Sequence, residues 1–306
     1  MAITGLDQLV LFRDSDQRAL GDRALQRAVR AGEQTRLRSG AYVPTRVWDG
    51  LRAEERRRLE AAAMAAMHPA FVASHRSAGA LWHLPSVLAP DGLVHARVSA
   101  AAGSRTEHGV RKHAVHDVDQ HLVVLDGITA TSLERTALDL AATQPFHEAV
   151  VAMDAALARG VSKEQMRQVL DEWSPKQHRA RIERVIAFAD PLSGSAGESW
   201  SRVQIVQAGL PAPVLQQRFF DGRGFVGETD FWWPGCNLIG EFDGLKKYRE
   251  AELLDGRTPG RVVEAEKLRE DRLRRTATRP SVERWIWATL LVRGGLAAQL
   301  HAAGLR

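Results

Sequence analysis

The stretch Val226-Gly-Glu-Thr-Asp230-Phe-Trp-Trp-Pro-Gly-Cys-Asn-Leu-Ile-Gly-Glu241-Phe-Asp243-Gly244 holds the residues best suited to chemistry. It reads as two strands, Phe225 to Trp233 and Asn237 to Asp243, joined by a Pro234-Gly235 turn. Side chains alternate faces along a strand, so Glu241 and Asp243 share a face with Ile239, while Leu238 and Phe242 point the other way. Asp230, Glu241 and Asp243 are therefore expected to meet at one edge of a small sheet, beside Trp232, Trp233 and Phe242. Crowded and partly desolvated carboxylates either raise a pKa or call for a cation. A hard divalent ion, Mg²⁺ or Mn²⁺, resolves both problems, because it binds carboxylate oxygens, keeps several waters and activates one of them against a phosphodiester. The alternative is a set of exposed charges that protect an edge strand from pairing with another chain.

The flanking elements place this stretch. Upstream, Ser195-Ala-Gly-Glu198-Ser-Trp-Ser-Arg202 opens a helix that runs to Gly209-Leu-Pro211. Downstream, residues 264 to 274 read as a charged helix, followed by the aromatic strand Val282-Glu-Arg-Trp285-Ile-Trp287. This order of elements resembles the small PD-(D/E)XK-type endonuclease domains related to very-short-patch repair nucleases, the DUF559-type branch, over about residues 193 to 300. The resemblance implies that Asp230 and Glu241 are metal ligands and that Glu198 is a further acidic residue near the metal. Asp243 stands where the wider superfamily has its lysine. Lys246 and Lys267 then become the candidates for the cation that steadies the transition state, with surface lysines as the plainer reading of each. Arg269, Arg272, Arg274 and Arg275 are placed to draw a phosphate backbone toward an otherwise negative cleft.

Composition narrows the class without naming a partner. The 306 residues carry 42 Lys and Arg against 37 Asp and Glu, a formal charge of +5, which suits nucleic acid but is no evidence for it. The single cysteine, Cys236, excludes an internal disulfide and a thiolate zinc site and fits a reducing cytoplasm. No apolar run has the length of a membrane span and the first residues lack a secretory pattern, so a soluble cytoplasmic protein is expected.

Taken in order, residues 1 to 46 read as a helix over Ala24–Ala31 and a strand pair bent at Ser39-Gly40. This resembles the amino-terminal winged helix of AbiEi-type antitoxins. That resemblance puts Gln26, Arg27 and Arg30 on a recognition-like helix and Arg36 and Arg38 on a wing against DNA phosphate; a protein-binding winged helix is the alternative. Residues 47 to 145 form a mixed α/β region in which Ala73-Ser-His75-Arg-Ser-Ala-Gly-Ala-Leu-Trp82 and Gly127-Ile-Thr-Ala-Thr-Ser132-Leu-Glu-Arg135-Thr136-Ala-Leu-Asp139-Leu are similar to segments of the same family. Ser132 caps a helix along which Arg135 and Asp139, four apart, pair structurally. His108, His113, His116 and His121 fit no zinc spacing and read as part of a basic strand facing phosphate or solvent. Residues 146 to 190 read as a helical connector, and 191 to 306 as the endonuclease-like domain.

The expected architecture is α/β in the α+β sense: a winged helix-turn-helix, a mixed middle region, and a restriction-endonuclease-like domain with a small mixed sheet flanked by helices. The expected function is a metal-dependent DNA endonuclease. The competing expectation is a non-enzymatic, antitoxin-like regulator with a degenerate nuclease fold, partnered with a nucleotidyltransferase-like toxin. Action on RNA is a third, because the phosphodiester chemistry is the same.

Overall fold

The structure is a computed structural model that describes residues 3–11, 21–175, 177–244, 272–273 and 279–306. Among the described residues, helices pack on sheets of three, six and four strands, an α+β arrangement. The chain divides into two units, Met1–Pro145 with Gly160–Ala187, and Phe146–Arg159 with Phe188–Arg306. The stretch that reads as one connector is thus shared: helix α6 (Phe146–Leu157) belongs to the second unit, and α7 (Lys163–Trp173) to the first. Helix α8 (Arg179–Phe188) lies almost wholly in the first.

The first unit begins with β1 (Val10–Leu11), α1 (Gly21–Arg30), β2 (Gln34–Arg38) and β3 (Ala41–Pro44), the strands forming an antiparallel sheet in the order β1-β3-β2. Helices α2 (Thr45–Gly50) and α3 (Ala53–Met67) follow. The alanines Ala61, Ala62 and Ala63 of α3 are buried, and their small side chains let the helix lie close against its neighbours. Next come β4 (Val72–Ala73), α4 (His75–Leu81), β5 (Val94–Ser99), β6 (Arg105–Glu107), β7 (Val110–Val115), β8 (Leu122–Leu125), β9 (Ile128–Thr131) and α5 (Leu133–Thr143). The six strands run β6-β7-β5-β4-β9-β8, with β5/β7 and β4/β9 parallel. Leu59, Phe71, Leu81, Val94 and Ile128 form the core between sheet and helices.

Behind that core lies a buried polar centre. Arg135 donates from Nε to Asp139 Oδ1 at 2.9 Å, the pair expected from spacing, yet Arg135 is fully buried, also pairs with Asp117, and stacks 4.2 Å over Trp173. His113 does not face solvent as a basic strand would have it. Its ring stacks on His75 with centroids 3.4 Å apart, and its Nε2 lies 3.0 Å from His95 Nδ1. His95 Nε2 is held by Asp91 at 2.9 Å, and His75 Nδ1 by Ser74 Oγ at 3.1 Å. Burial, reinforced by the neighbouring imidazoles and Arg111, pushes His113 down to about 2 and His75 well below its usual value. His75 and His113 are thereby kept in the uncharged form that tolerates stacking and burial.

The second unit opens with α6 and α9 (Ala196–Gln207), followed by β10 (Val214–Asp221), β11 (Gly224–Trp233), β12 (Leu238–Asp243), β13 (Ser281–Ile286), α10 (Trp287–Leu291) and α11 (Gly295–Ala302). The sheet order is β10-β11-β12-β13, antiparallel except for the parallel pair β12/β13. A parallel neighbour requires a crossover. Between the two strands in sequence, Leu273 packs on Trp232 and Ile239 on one face of the sheet. Phe231, Trp233, Leu238, Phe242 and Trp285 fill the other face against Ile205, Leu296 and Leu300 of the helices. The alternation of Leu238 and Phe242 against Ile239 is as the sequence predicts. Arg202 Nη1 donates to Asp154 Oδ2 at 2.8 Å and ties α9 to α6. Among the described residues no helix is long and apolar enough to cross a membrane.

The histidine centre predicts acid sensitivity. Unfolded histidines titrate near about 6.5, whereas His75 and His113 resist protonation in the fold, so their contribution to stability is complete above that pH and declines as pH falls below it. Each histidine that stays neutral adds a slope of up to about 1.4 kcal/mol per pH unit. Chemical denaturation of the wild type between pH 7.5 and 5 should show the decline, and His113→Gln should flatten it; parallel profiles would contradict the assignment.

Candidate functional site

The site begins where two strands part. The β11/β12 ladder runs Trp233 to Leu238, Trp232 to Ile239 and Phe231 to Gly240, and the next residues across from one another are Asp230 and Glu241. There the ladder stops, and Phe242 N donates instead to Asp230 Oδ2 at 2.8 Å. Gly240 allows the approach: a Cβ at that position would sit 2.5 Å from the Trp285 ring. Glu241 lies in a strand buried almost throughout and is itself only 6% exposed. In the parallel register of β13, Arg284 stands beside Glu241. Its Nη2 is 3.0 Å from Glu241 Oε2 and its Nη1 is 3.7 Å from Asp243 Oδ2, so one guanidinium bridges both carboxylates.

Glu198 reaches the same end of the sheet from α9. Ser195 caps the helix by accepting from Glu198 N at 3.2 Å. Glu198 Oε2 accepts from Gly194 N at 2.8 Å and from Gln216 Nε2 at 3.0 Å. Gln216 has φ +49° and falls between the registered pairs Leu215/Phe231 and Gln217/Thr229, level with Asp230. Gly197 packs directly on Phe242, the residue between Glu241 and Asp243, and a Cβ there would lie 2.0 Å from the ring. The first turn of α9 is thereby pressed against the segment of β12 that carries the acids.

The expected convergence into one coordination sphere is not the arrangement found. Among the described residues no group of three or more His, Cys, Asp or Glu is placed to hold a metal ion. Asp230 is turned to Phe242 N, Glu241 and Asp243 to Arg284, and Glu198 to Gly194 and Gln216. The physical reason is desolvation: a partly buried carboxylate is costly unless it has a donor or a counter-charge, and here each has found one. Lys246 and Lys267, together with Arg269, Arg274 and Arg275, lie outside the described residues. Arg272 is committed to Asp221 through Nε and Nη2, both at 2.8 Å, rather than turned to the cleft. Arg284 was not singled out from the sequence. Alternation in Val282-Glu-Arg-Trp285 places it opposite Trp285, but nothing local sets the register of β13.

In the first unit, Gln26, Arg27 and Arg30 are exposed on α1 and Arg36 is exposed on β2. Gln26, Arg30, Arg36, Tyr42 and Met67 line a groove of about 620 Å³. Arg38 departs from its expected role. Its Nη1 and Nη2 donate to the carbonyls of His108 and Gly109 at 3.2 and 3.1 Å, and burial lowers its pKa against the pull of Glu60. It braces the hairpin against the β6–β7 turn instead of offering its charge to a ligand.

Gly197→Ala should destabilise the second unit by about 1–3 kcal/mol or more, because the added methyl meets a ring that is itself enclosed. A thermal melt followed by tryptophan fluorescence checks this; an unchanged midpoint would mean that α9 does not press on Phe242.

No protein-family model matches the chain. Two proteins of Mycobacterium tuberculosis, "Uncharacterized protein MT2308" of strain CDC 1551 / Oshkosh and "Uncharacterized protein Rv2248" of strain ATCC 25618 / H37Rv, are each 27% identical to it over 143 residues, 46% of this chain and 53% of theirs. The chain spans about half the length of the curated relatives it matches. The RV2827C protein of Mycobacterium tuberculosis, a solved crystal structure, aligns over 69% of this chain and 83% of that one with 18% identity and a TM-score of 0.40. None of these likenesses carries an activity across, and the function has to be read from the residues of the chain itself.

Proposed function

We propose that the second unit hydrolyses phosphodiester bonds in DNA with a divalent metal ion, Mg²⁺ or Mn²⁺, and that the first unit supplies a DNA-contacting groove. The observation that carries the reading is the facing pair Asp230 and Glu241 at the point where β11 and β12 part. A magnesium ion is typically held by one or two carboxylates, completed by waters and substrate phosphate oxygens. Asp230 and Glu241 are carboxylates of that kind at neighbouring strand positions, each now turned to a donor of the chain, and the guanidinium beside Glu241 supports the view that a positive group is accommodated there. When bound, such an ion polarises the phosphoryl group and lowers the pKa of a water.

The rest of the work belongs to the chain. Asp230 is oriented by Phe242 N, and Glu198 by Gly194 N and Gln216, which points a carboxylate at the same sheet end to accept a proton from an attacking water. Trp232, Ile239 and Leu273 form an apolar floor that keeps bulk water out from one side. In the groove of the first unit, Arg30 and Arg36 offer charge to backbone phosphates, with Gln26 and Tyr42 beside them. A second reading, an antitoxin-like DNA-binding regulator acting with a nucleotidyltransferase-like toxin, is favoured by one observation: Glu241 and Asp243 are both paired with Arg284, a partner supplied by the chain itself.

Plasmid and single-stranded DNA, with an RNA control, incubated with Mg²⁺ or Mn²⁺ should be cut, and EDTA should stop it. Outer-shell partners of a metal are worth roughly 10–100-fold, so Asp230→Asn and Glu241→Gln should each lose more than about 100-fold. Cleavage indifferent to EDTA, or to both substitutions, sinks the hydrolytic reading. For the groove, Arg30→Ala and Arg36→Ala should each reduce the slope of log K against log salt by about 0.9 for duplex DNA. A slope left unchanged by both would assign the groove to a partner other than nucleic acid.

A further inference from the structure

We infer that the tip of the β10–β11 hairpin is a stacking site for an unpaired nucleobase, built from Phe220, Phe225 and Arg218. From the proposed function the inference takes only that the chain engages nucleic acid; it involves neither a metal ion nor a cleavage step.

The tip is an exposed aromatic patch on a braced support. Phe220 and Phe225 face each other across the strands, 57% and 47% exposed, with ring centroids 5.6 Å apart and ring planes 63° from each other. A register shift falls between Phe219 and Phe220. Phe219 stays buried, its ring edge-on to Trp232 at 5.1 Å, while its neighbour is left in solvent. A bulge of this kind re-aims a side chain. The turn beyond is fixed: Arg223 N donates to Asp221 Oδ1 at 2.8 Å, and Arg272 donates to both oxygens of Asp221 at 2.8 Å and to Phe225 O at 3.2 Å. Exposed apolar side chains that stand singly need no explanation, but two rings paired on a braced tip form a contact surface.

The charge around the rings decides what they contact. The Arg218 guanidinium lies 4.8 Å from the centroid of Phe225 and 5.6 Å from that of Phe220. Glu228 stands across from Arg218 in the strand register, and Asp221 is answered by Arg272. Exposed Arg223 extends the positive side of the tip. A partner for this surface must present a flat π face and negative charge together. An unpaired nucleotide does: its base stacks on a ring or on a guanidinium plane, and its phosphate meets the arginines beside them. In a duplex that face is covered by the neighbouring base pairs. An apolar peptide would match the rings but leave both arginines uncompensated, and a bilayer interior would have to take up both charges. Phe225 and Asp230 lie on the same strand, so a nucleic-acid strand held at the tip is held by the element that also carries the acidic site.

The test is binding by the full chain in EDTA, read by fluorescence anisotropy, with oligodeoxythymidine and an abasic oligonucleotide of the same length as probes. The thymidine strand should bind more tightly than the abasic one by at least about fivefold, the low end for one stacked base. The double variant Phe220→Ala, Phe225→Ala should lose that preference. Phe220→Leu should reduce it although apolar bulk remains, and Phe220→Tyr should retain it. Arg223→Ala should lower the slope of log K against log salt for the single strand by about 0.7. Circular dichroism checks the fold of each variant, and if the double variant does not fold, the leucine variant carries the test. A double variant with the wild-type preference for bases, or a leucine variant that binds thymidine as the wild type does, overturns the inference. If the double substitution instead abolishes binding to phosphatidylserine vesicles and leaves oligonucleotide affinity unchanged, the tip is a membrane contact and the inference falls. A base preference that depends on these rings, in a protein that never cuts DNA, upholds the stacking site and sinks only the hydrolytic reading.

Discussion

A glutamate held in the middle of a buried strand has to be compensated, and much of the second unit follows from that requirement at Glu241. Moving an ion out of water costs several kcal/mol even after the protein relaxes. The sheet meets the cost with a cation from the next strand: the parallel register of β13 sets Arg284 against Glu241, and Trp285 then packs on the opposite face. Trp285 in turn needs Gly240 beneath it, and Phe242 needs Gly197 above it. The acidic end of β12 and the aromatic core behind it are two faces of one constraint. Moving either would disturb the other.

The polar centre of the first unit shows a different solution to the same problem. There, Arg135 and Asp139 are compensated by direct pairing, whereas His75 and His113 avoid charge altogether by remaining neutral and stacking. Neutral imidazoles cost little to bury when each has a partner for a ring nitrogen, and Ser74 supplies one to His75 and the His95 ring one to His113. The consequence is that α4, β5 and β7 are joined by groups whose packing depends on protonation.

Much of the local structure was legible in the chain because its signals are local. The alternation of Leu238, Ile239 and Phe242 set their faces, Ser132, Ser162 and Ser195 cap the helices that follow them, and Arg135 and Asp139 pair at a spacing of four. The helix and hairpin of residues 21 to 44 also follow their periodicity. The exceptions share a cause. Arg38 reads as a wing arginine but bonds to carbonyls some 70 residues away, and His113 reads as a strand residue facing phosphate or solvent but stacks on His75 at the start of α4. A side chain's type predicts what it can bond to, but not which distant group will be brought to it.

The same division applies to the candidate site. The amino-acid order by itself determined that Asp230, Glu241 and Asp243 lie on adjoining strands with a helix-borne Glu198 ahead of them, because alternation and turn chemistry act over a few residues. Only the tertiary structure decided which donors answer these acids, Phe242 N for Asp230, Gly194 N and Gln216 for Glu198, and Arg284 for both Glu241 and Asp243. A parallel strand is reached through a crossover, so its register is set by the packing of Trp285 and Ile239 on opposite faces rather than by any turn. Which charge meets Glu241 is therefore a property of the folded sheet and cannot be read from the spacing of residues along the chain.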